Sequence, residues 1–170
     1  TKSETVGTGA LTGEVQVVEN LGSAQLVTFQ SPAGYVQFVV DEDLVPLAID
    51  EFPVLFVAAA CAEGRTVLRG AEELRVKESD RIQVMADGLI ALGVKCEPTP
   101  DGIIIDGGQI GGGEVHGHGD HRIAMAFSVA SLRATAPIRI HDCANVATSF
   151  PNFLALCAQV GIRVAQEAQS

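Results

Sequence analysis

The densest run of charged and polar side chains in this sequence is Leu74-Arg75-Val76-Lys77-Glu78-Ser79-Asp80-Arg81. Apolar segments flank the run, and we interpret them as a strand before it and a helix after it. A solvated helix face would spread its charges along the helix, whereas these side chains crowd the junction between two elements. Junctions of this kind carry functional residues more often than helix faces do. The run Leu74–Arg81 is therefore the first candidate for a site.

The composition favours one globular unit with an aliphatic core. Of 170 residues, 47% are hydrophobic, with one Tyr and no Trp. This length fits one domain or a piece of a larger one, so we treat residues 1–170 as a single domain. The net charge of -10 argues against a nucleic acid or an anionic membrane surface as the main partner. A local cluster of cations can still bind a small anion.

The cysteines indicate a reducing compartment. None of the four lies at CxxC spacing, and we interpret them as reduced thiols of a cytoplasmic protein. No stretch is long and apolar enough to cross a bilayer. Because the chain starts at Thr1 rather than Met, the absence of a targeting segment carries little information. The four are Cys61, Cys96, Cys143 and Cys157.

The first third of the chain has the pattern of β-structure. Runs rich in β-forming residues predict strands over Val15–Val18, Gln25–Phe29 and Tyr35–Val40, separated by turn residues. We expect Thr1–Gly13 to be a loose end and residues 41–43 to form a solvated turn. This part carries no clear chemistry.

Helices and strands alternate after Asp50. A helix that is apolar on nearly all sides is predicted over Phe52–Ala62, with Asp50 as its N-cap and Pro53 in its first turn. The strand Thr66–Leu68 and the run Leu74–Arg81 follow. The next helix is defined by apolar residues at helical spacing, namely Ile82, Met85, Leu89 and Leu92, and Gly93 ends it.

Glycines punctuate the second half of the chain. A hairpin joins Val94–Glu97 to Ile103–Ile105, and we interpret Gly107–Gly119 as a flexible connector because it lacks the spacing of a phosphate-binding loop. The remaining predicted elements are a buried helix over Ile123–Leu132, a strand over Ile138–Ile140, a helix over Phe150–Val160 and a strand over Ile162–Ala165.

Two stretches of the chain look like copies of one unit. In each, an Asp (Asp50 or Asp120) opens a buried helix, and a polar loop precedes an amphipathic helix. A duplicated unit would bring the Lys77 loop, Arg122 and the Thr148 loop to the same rim as Asp50. The predicted organisation is a β-rich unit over 1–45, repeated units over 46–106 and 120–166, and a Gly-rich connector over 107–119.

Three side chains are the first candidates for chemistry. A Lys next to a Glu, as in Lys77-Glu78, keeps the Glu ionised while both can exchange protons with a ligand. Alternatively, the acidic residues of the run simply face a helix dipole; the cations beside them oppose that dipole, which indicates an anionic ligand or partner carboxylates. Arg122 suits bidentate binding of phosphate or carboxylate, or forms a salt bridge to Asp50 or Asp120.

A metal site is a further alternative. His116, His118, Asp120 and His121 spell HxHxDH, a metal-binding signature of the metallo-β-lactamase fold. Such a site needs downstream ligands, and His141 is the only later histidine. No apolar strand delivers His116 and His118, so we expect exposed loop residues and no metal. A zinc hydrolase remains the minor alternative.

Several motifs together resemble one family. The run Leu74–Arg81 resembles the signature of the 5-enolpyruvylshikimate-3-phosphate (EPSP) synthase family. The resemblance is good from about Pro46 to Ala165 and coarse before that. The other motifs that carry it are Ile49–Pro53 (IDEFP), Ala58–Ala60 (AAA), Asp120–Ala126 (DHRIAMA) and Ala147–Pro151 (ATSFP). The last of these resembles the glyphosate-insensitive bacterial branch.

The resemblance implies an α/β (α+β) enolpyruvyl transferase fold of repeated βαβαββ units, with this chain as one lobe of a two-domain enzyme. The implied reaction, part of aromatic amino-acid biosynthesis, transfers the enolpyruvyl group of phosphoenolpyruvate to the 5-hydroxyl of shikimate 3-phosphate and releases phosphate. It passes through a tetrahedral intermediate and needs no metal or cofactor. The implied partners are the two substrates and a missing N-terminal domain, in a cytoplasmic monomer.

The resemblance also implies a role for each candidate residue. Asp50 handles the proton of the 5-hydroxyl. Glu78 moves a proton to and from the phosphoenolpyruvate methylene, with Lys77 beside both substrates. Arg81 and Arg122 hold the phosphoenolpyruvate carboxylate and phosphate. The implied catalytic residues are thus Asp50, Lys77 and Glu78, and the implied substrate-binding residues are Lys77, Arg81, Arg122 and Asp50.

The sequence departs from the family pattern in two respects. Thr148 stands where many members have a Lys, and members are more than twice this long, so we expect the chain alone to be inactive. Two alternatives remain. One is a lobe like that of UDP-N-acetylglucosamine enolpyruvyl transferase, which the Lys77-Glu78 motif argues against. The other is a non-catalytic structural half.

Overall fold

The computed structural model of the protein describes residues 14–20, 24–31, 34–41 and 48–165. The first three segments are strands β1 (Glu14–Asn20), β2 (Ala24–Ser31) and β3 (Gly34–Asp41), which form an antiparallel sheet in the order β1-β2-β3. The three predicted strands are confirmed, and each is longer than predicted. The expected loose end at residues 1–13 and the turn residues 42 and 43 lie outside the described residues.

From residue 49 onward the architecture is mixed α/β. Short 3-10 turns over Ile49–Glu51 and Glu72–Val76 precede the first and second helices. The helices are α1 (Phe52–Cys61), α2 (Arg81–Ala91), α3 (His121–Ala130), α4 (Val146–Ser149) and α5 (Phe153–Gln159). The strands are β4 (Gly64–Leu68), β5 (Lys95–Thr99), β6 (Gly102–Gly107), β7 (Gly113–His116) and β8 (Ile138–His141).

Two small sheets support the helices. β6 lies between β4 and β5 and pairs antiparallel with both, so the predicted hairpin between β5 and β6 is confirmed. β7 and β8 are parallel, and α3 provides the crossover connection that a parallel pair requires. α1 packs against α3 and β6, while α2 packs on β5 and β7. This packing brings the N-terminal ends of the first three helices together.

The core is aliphatic, as the composition predicted. The four apolar residues that define α2 in the sequence (Ile82, Met85, Leu89 and Leu92) are all buried, which confirms the helical periodicity. α1 contains no charged residue and buries its face around Phe56 and Ala60. Phe127 of α3 is fully buried in the same cluster.

The two stretches that we interpret from the sequence as copies contain their elements in a similar order. The first stretch runs α1, β4, the 3-10 turn Glu72–Val76 and α2. The second runs α3, β8, α4 and α5. Each stretch is thus a helix, a strand, a short helical turn and a second helix. The exact division into units remains a prediction.

One predicted cap is wrong. Glu51 rather than Asp50 precedes α1, and it makes no side-chain cap hydrogen bond. The 3-10 turn Ile49–Glu51 moves Asp50 out of the capping position, and its carboxylate is bonded by two arginines instead. Asp80 and Asp120 do cap their helices, by accepting from the backbone N–H groups of Gln83 and Arg122.

The Gly-rich connector is also more ordered than predicted. β7 lies within it, and Ile110 forms a bridge with Ala134. The sequence pattern hid this strand because only Ile110 and Val115 supply buried side chains among the glycines. The prediction that no apolar strand delivers His116 overlooked this element: His116 ends β7, in which Val115 is the buried apolar side chain.

The last elements differ from the prediction as well. The predicted helix Phe150–Val160 begins at Phe153, after the separate turn α4. A residue before proline is pushed out of the helical region, and Phe150, which precedes Pro151, has φ -143° and ψ 77°. The predicted strand Ile162–Ala165 is wrong: none of the described strands pairs with it, and a strand is stabilised by its ladder.

The four cysteines are free thiols. Cys157 is buried and Cys143 is exposed, while the other two are intermediate. Burial, followed by the charge of Asp87, raises the pKa of Cys96 to about 11, so this thiol is protonated at neutral pH.

Within the described residues, no helix has the length and apolar character needed to span a membrane.

We expect Gly107→Ala to lower the free energy of unfolding by about 1 to 3 kcal/mol. A Cβ at this position, where β6 meets the end of α1, would lie 2.2 Å from the carbonyl oxygen of Ala62 and 2.6 Å from that of Ala59. Gly108→Ala is the matched control, because a Cβ there meets nothing within 4 Å. Urea denaturation measures both variants, and equal effects would contradict the steric explanation.

Candidate active site

The guanidinium of Arg81 is the centre of the candidate site. Arg81 is the first residue of α2 and is 0% exposed. Its Nε donates to Asp120 Oδ2 at 2.8 Å, its Nη1 to Asp50 Oδ1 at 2.9 Å and its Nη2 to Glu78 Oε2 at 2.6 Å. A buried Arg needs partners for its charge and its N–H groups, and three carboxylates supply them.

These carboxylates come from segments that are distant in the chain. Asp50 lies in the 3-10 turn before α1, Glu78 lies in the loop before α2, and Asp120 caps α3. The beginnings of three helices therefore meet at one guanidinium. The predicted common rim is confirmed for Asp50, the Lys77 loop and Arg122.

Arg122 completes the cluster from the second residue of α3. Its Nη2 lies 3.0 Å from Asp50 Oδ2, and its Nη1 donates to the Asp50 carbonyl oxygen at 3.1 Å. The two oxygens of the Asp50 carboxylate thus each contact a different arginine. Of the two salt bridges considered for Arg122, the side chain forms the one to Asp50, while its backbone N–H binds Asp120.

The other cations of the run Leu74–Arg81 also have partners. Lys77 Nζ donates to Glu73, and Arg75 Nη1 donates to Asp80 Oδ2 at 2.6 Å. The guanidinium of Arg75 also reaches the carbonyl oxygens of the turn between β5 and β6. The charge density of the run is therefore balanced by carboxylates, and of its acidic residues only Asp80 caps the helix.

The arginines keep the carboxylates of Asp50 and Asp120 ionised. The hydrogen bond from Arg81 is the largest influence on the pKa of Asp50, which is lowered despite partial burial, with help from the charges of Arg122 and Lys77. For Asp120, burial is the largest single influence and raises the pKa, but the bonds from Arg81, Arg122 and Ser79 together outweigh it, so the pKa is lowered. Both groups are acceptors at neutral pH.

A cavity of about 360 Å³ opens beside Asp50 and Arg122. Its polar end is formed by these two residues, Glu51 and His121, and its walls come from α1, α3 and the segment around α5. The apolar and hydroxyl lining residues are Pro53, Val54, Met125, Ala126, Val129, Ser149, Phe150 and Phe153. The segment after Thr148 therefore lies at the same rim. Thr148 itself is exposed, and its Oγ1 donates to the Asn145 carbonyl oxygen at 3.0 Å.

The HxHxDH side chains do not converge on one point, although His118 lies beside His116 with ring centroids 5.9 Å apart. His116 stacks on His141 with ring centroids 4.7 Å apart, and His121 lines the cavity. Asp120 is 0% exposed and is occupied by Arg81 and the start of α3. Within residues 48–165, no three His, Cys, Asp or Glu side chains are grouped so that they could hold a metal ion.

Sequence reasoning missed two residues of the cluster. Ser79 Oγ donates to Asp120 Oδ2 at 3.1 Å, and Asp120 holds Arg81. In the sequence, Asp120 is a candidate metal ligand, a candidate partner for Arg122 and the start of a repeated unit, and nothing there indicates a bond to Arg81. An Asp immediately before a buried helix is a capping signal, but it does not show that the same carboxylate binds a distant Arg.

The fold is shared with solved EPSP synthases. Two structures of EPSP synthase from Acinetobacter baumannii match with TM-scores of 0.70 and 0.67 and sequence identities of 50% and 47%. Each match covers 88% of this chain and 37% of the solved chain. The chain thus has the enolpyruvyl transferase fold, as predicted.

Sequence comparison defines the family. The sequence model of EPSP synthase (3-phosphoshikimate 1-carboxyvinyltransferase) matches residues 14–156. Curated relatives named 3-phosphoshikimate 1-carboxyvinyltransferase include those of Nitrosococcus oceani, 72% identical over 125 residues, and Coxiella burnetii, 60% identical over 125 residues. Each alignment covers 74% of this chain and 28% of the relative. The chain belongs to the EPSP synthase family, and it spans under a third of the length of these relatives.

Proposed function

We propose that this chain forms part of an EPSP synthase, which transfers the enolpyruvyl group of phosphoenolpyruvate to the 5-hydroxyl of shikimate 3-phosphate and releases phosphate. The supporting observation is the cluster itself. The carboxylates of Asp50 and Glu78 are held by the same Arg81 guanidinium, on its Nη1 and Nη2 atoms. Addition to an enol ether requires one group that removes the hydroxyl proton and another that protonates the methylene carbon, and two carboxylates on one guanidinium supply such a pair.

Asp50 acts as the base for the 5-hydroxyl in this proposal. Its carboxylate is 46% exposed toward the cavity and ionised, since arginine contacts lower its pKa. A base with a lowered pKa is weak. If the substrate anions engage Arg81 and Arg122, the attraction that these cations exert on Asp50 falls and its basicity rises.

Glu78 acts as the acid that protonates the methylene carbon and later accepts a proton from the resulting methyl group. Its side chain is 54% exposed, so the carboxyl group can reach a ligand. Only one oxygen, Oε2, is bonded to Arg81. Lys77 precedes it in the chain and supplies a nearby positive charge that can assist the proton transfer.

Arg81 and Arg122 hold the carboxylate and phosphate of phosphoenolpyruvate in this proposal. Both guanidiniums already contact carboxylates, and with Glu51 beside Arg122 four carboxylates outnumber the two arginines. Anion binding by this chain alone is therefore weak, because the ligand must compete with Asp50 and Glu78. We propose that the remaining cations come from an N-terminal domain of the same monomeric enzyme.

Two alternatives have less support. The Lys77-Glu78 pair places a carboxylic acid at the guanidinium, whereas UDP-N-acetylglucosamine enolpyruvyl transferases normally use a loop cysteine as the acid. A non-catalytic structural half would have no need for two exposed carboxylates on a buried Arg. The pair of carboxylates therefore favours an EPSP synthase half-site.

We expect the 170-residue chain alone to form no EPSP. We expect EPSP to form when the missing N-terminal part is added in trans. Phosphate release and EPSP formation from the two substrates are the measurements. A chain that carries Glu78→Gln, mixed with the same N-terminal part, is the control for activity from contaminating enzyme. Turnover by the chain alone would refute the expected division of the site. Failure of the mixture, when the complete enzyme is active, would favour the non-catalytic alternative.

We also infer that the enzyme belongs to the glyphosate-insensitive branch. The motif Ala147–Pro151 supports this, because Thr148 stands where many members have a cation that contacts the anionic ligand. We expect Thr148→Lys to lower the inhibition constant of glyphosate by about tenfold, measured by competition with phosphoenolpyruvate in the complete enzyme. Potent inhibition of the wild-type enzyme by glyphosate would contradict the inference. Thr135→Lys, which adds the same charge outside the motif, is the control.

A further inference from the structure

The buried ion pair between Arg81 and Asp120 takes no part in the proposed proton transfers. Asp120 and Arg81 are both 0% exposed. Both oxygens of Asp120 are occupied. Oδ2 accepts from Arg81 Nε at 2.8 Å and from Ser79 Oγ at 3.1 Å. Oδ1 accepts from the Arg122 backbone N–H at 2.9 Å and, at 3.5 Å, from Arg81 Nη2. Asp120 is buried, so its side chain does not contact a substrate directly.

The guanidinium of Arg81 has an inner and an outer edge. The Nε side is bound to the buried Asp120 carboxylate. The terminal nitrogens Nη1 and Nη2 bind Asp50 and Glu78, whose side chains are 46% and 54% exposed, and Nη2 also makes a longer contact of 3.5 Å to Asp120 Oδ1. Because the guanidinium is planar and its N–H groups form a rigid fork, fixing the Nε edge fixes the direction of the outer edge.

The same carboxylate also sets the position of the second arginine. Arg122 is attached to Asp120 through its backbone N–H, at the capped start of α3. One Asp120 carboxylate therefore links the Arg81 side chain to the backbone that carries the Arg122 side chain. Ser79, in the loop before α2, donates to Asp120 Oδ2, the same oxygen that accepts from Arg81 Nε.

We propose that Asp120, supported by Ser79, is a positioning residue that aims the outer edge of Arg81 and sets its spacing from Arg122 for phosphoenolpyruvate. This inference rests on the proposed function for the identity of the ligand. It assigns Asp120 a role that acts through the two arginines and not through contact with substrate. A purely structural Asp120 would only cap α3 and neutralise Arg81.

Asp80 provides a matched control for the structural role. It is also an N-cap Asp, since its Oδ1 accepts from the Gln83 backbone N–H at 3.0 Å, and it also pairs with an arginine, Arg75, at 2.6 Å. Neither contact involves Arg81. Asp80→Asn therefore reproduces the loss of charge at a helix cap without disturbing the proposed alignment.

The experiment measures steady-state kinetics of the complete enzyme with each substrate varied at saturation of the other. We expect Asp120→Asn to raise KM for phosphoenolpyruvate by about tenfold or more, since a charge-assisted hydrogen bond to a buried group is lost. We expect Ser79→Ala to raise it by about threefold, and KM for shikimate 3-phosphate to change by less than about twofold in both. Asp80→Asn should leave both KM values unchanged, because Asn still caps α2 and only the partly exposed ion pair with Arg75 is lost.

A second measurement does not depend on turnover. In enzyme labelled with 15N at arginine Nε, the Nε–H of Arg81 should exchange slowly with solvent, and Asp120→Asn and Ser79→Ala should accelerate this exchange, unlike Asp80→Asn. Unchanged exchange in Asp120→Asn would overturn the inference. The inference would also be overturned if the KM for phosphoenolpyruvate rose in each of the three variants only in proportion to the loss of its free energy of unfolding. A wild-type enzyme that forms no EPSP would instead overturn the proposed function, and the exchange rates would still decide whether Asp120 aligns Arg81.

Discussion

Replacement of Arg81 with alanine is expected to lower the free energy of unfolding by about 3 to 5 kcal/mol, because it leaves a buried carboxylate without its counter-ion. Asp120 is 0% exposed and keeps only Ser79 and the Arg122 backbone N–H as donors in this variant. Asp50 and Glu78 are more exposed, so water can replace the donors that they lose. Most of the effect therefore comes from Asp120.

Arg65→Ala is the control for this prediction. Arg65 pairs with Asp106 at 2.6 Å, but the two side chains are 52% and 27% exposed, and Lys95 also contacts Asp106. An exposed ion pair contributes about 1 kcal/mol or less, so this variant should be nearly as stable as the wild type. Urea denaturation compares the two. If Arg81→Ala were no more destabilising than Arg65→Ala, the cluster around Arg81 would not stabilise the fold.

The second large effect is expected in catalysis. In the complete enzyme, Glu78→Gln should lower kcat by about 10² to 10⁴-fold, the usual contribution of a positioned general acid. Gln keeps the shape of the side chain and an oxygen for Arg81 Nη2, but it cannot donate the proton. Because the Glu78 side chain is 54% exposed, the free energy of unfolding should change little.

The same substitution at Glu72, upstream of Glu78 in the chain, separates the effect on catalysis from the effect on stability. Glu72 is the first residue of the 3-10 turn Glu72–Val76, just before the run Leu74–Arg81, and is exposed. Glu72→Gln should leave kcat unchanged. Retention of kcat within about tenfold in Glu78→Gln would be inconsistent with a general-acid role, and Glu78→Asp, which keeps the acid at a shorter reach, should recover part of the activity.

The sequence predicted the elements around the site better than the contacts within it. The periodicity of Ile82, Met85 and Leu89 located α2, and the capping residues Asp80 and Asp120 mark the beginnings of two helices. Such signals are local, because a helix depends on residues three or four positions apart. Segments whose structure depends on a distant partner were predicted poorly: β7 was missed, and Ile162–Ala165 was predicted as a strand that none of the described strands pairs with.

The assignment of Asp50 illustrates the same difference at the site. A carboxylate two residues before a helix is a reasonable N-cap in the sequence. In the fold, a 3-10 turn shifts the start of α1, and two arginines from other helices bind the carboxylate. Asp50 is separated from Arg81 by 31 positions in the sequence and from Arg122 by 72. No local sequence pattern carries information over such separations.

The sequence alone determined the family, the α/β class and the identity of the ionisable residues, because motifs such as Leu74–Arg81 are read directly from the order of side chains. Only the tertiary structure decided what those charges do to one another. It buried the Arg81 guanidinium completely, gave it Asp50, Glu78 and Asp120 as partners, and assigned Asp120 to the inner edge. The reason is physical: burial and ion pairing depend on which segments the helices bring together, and α1, α2 and α3 meet only in the folded chain.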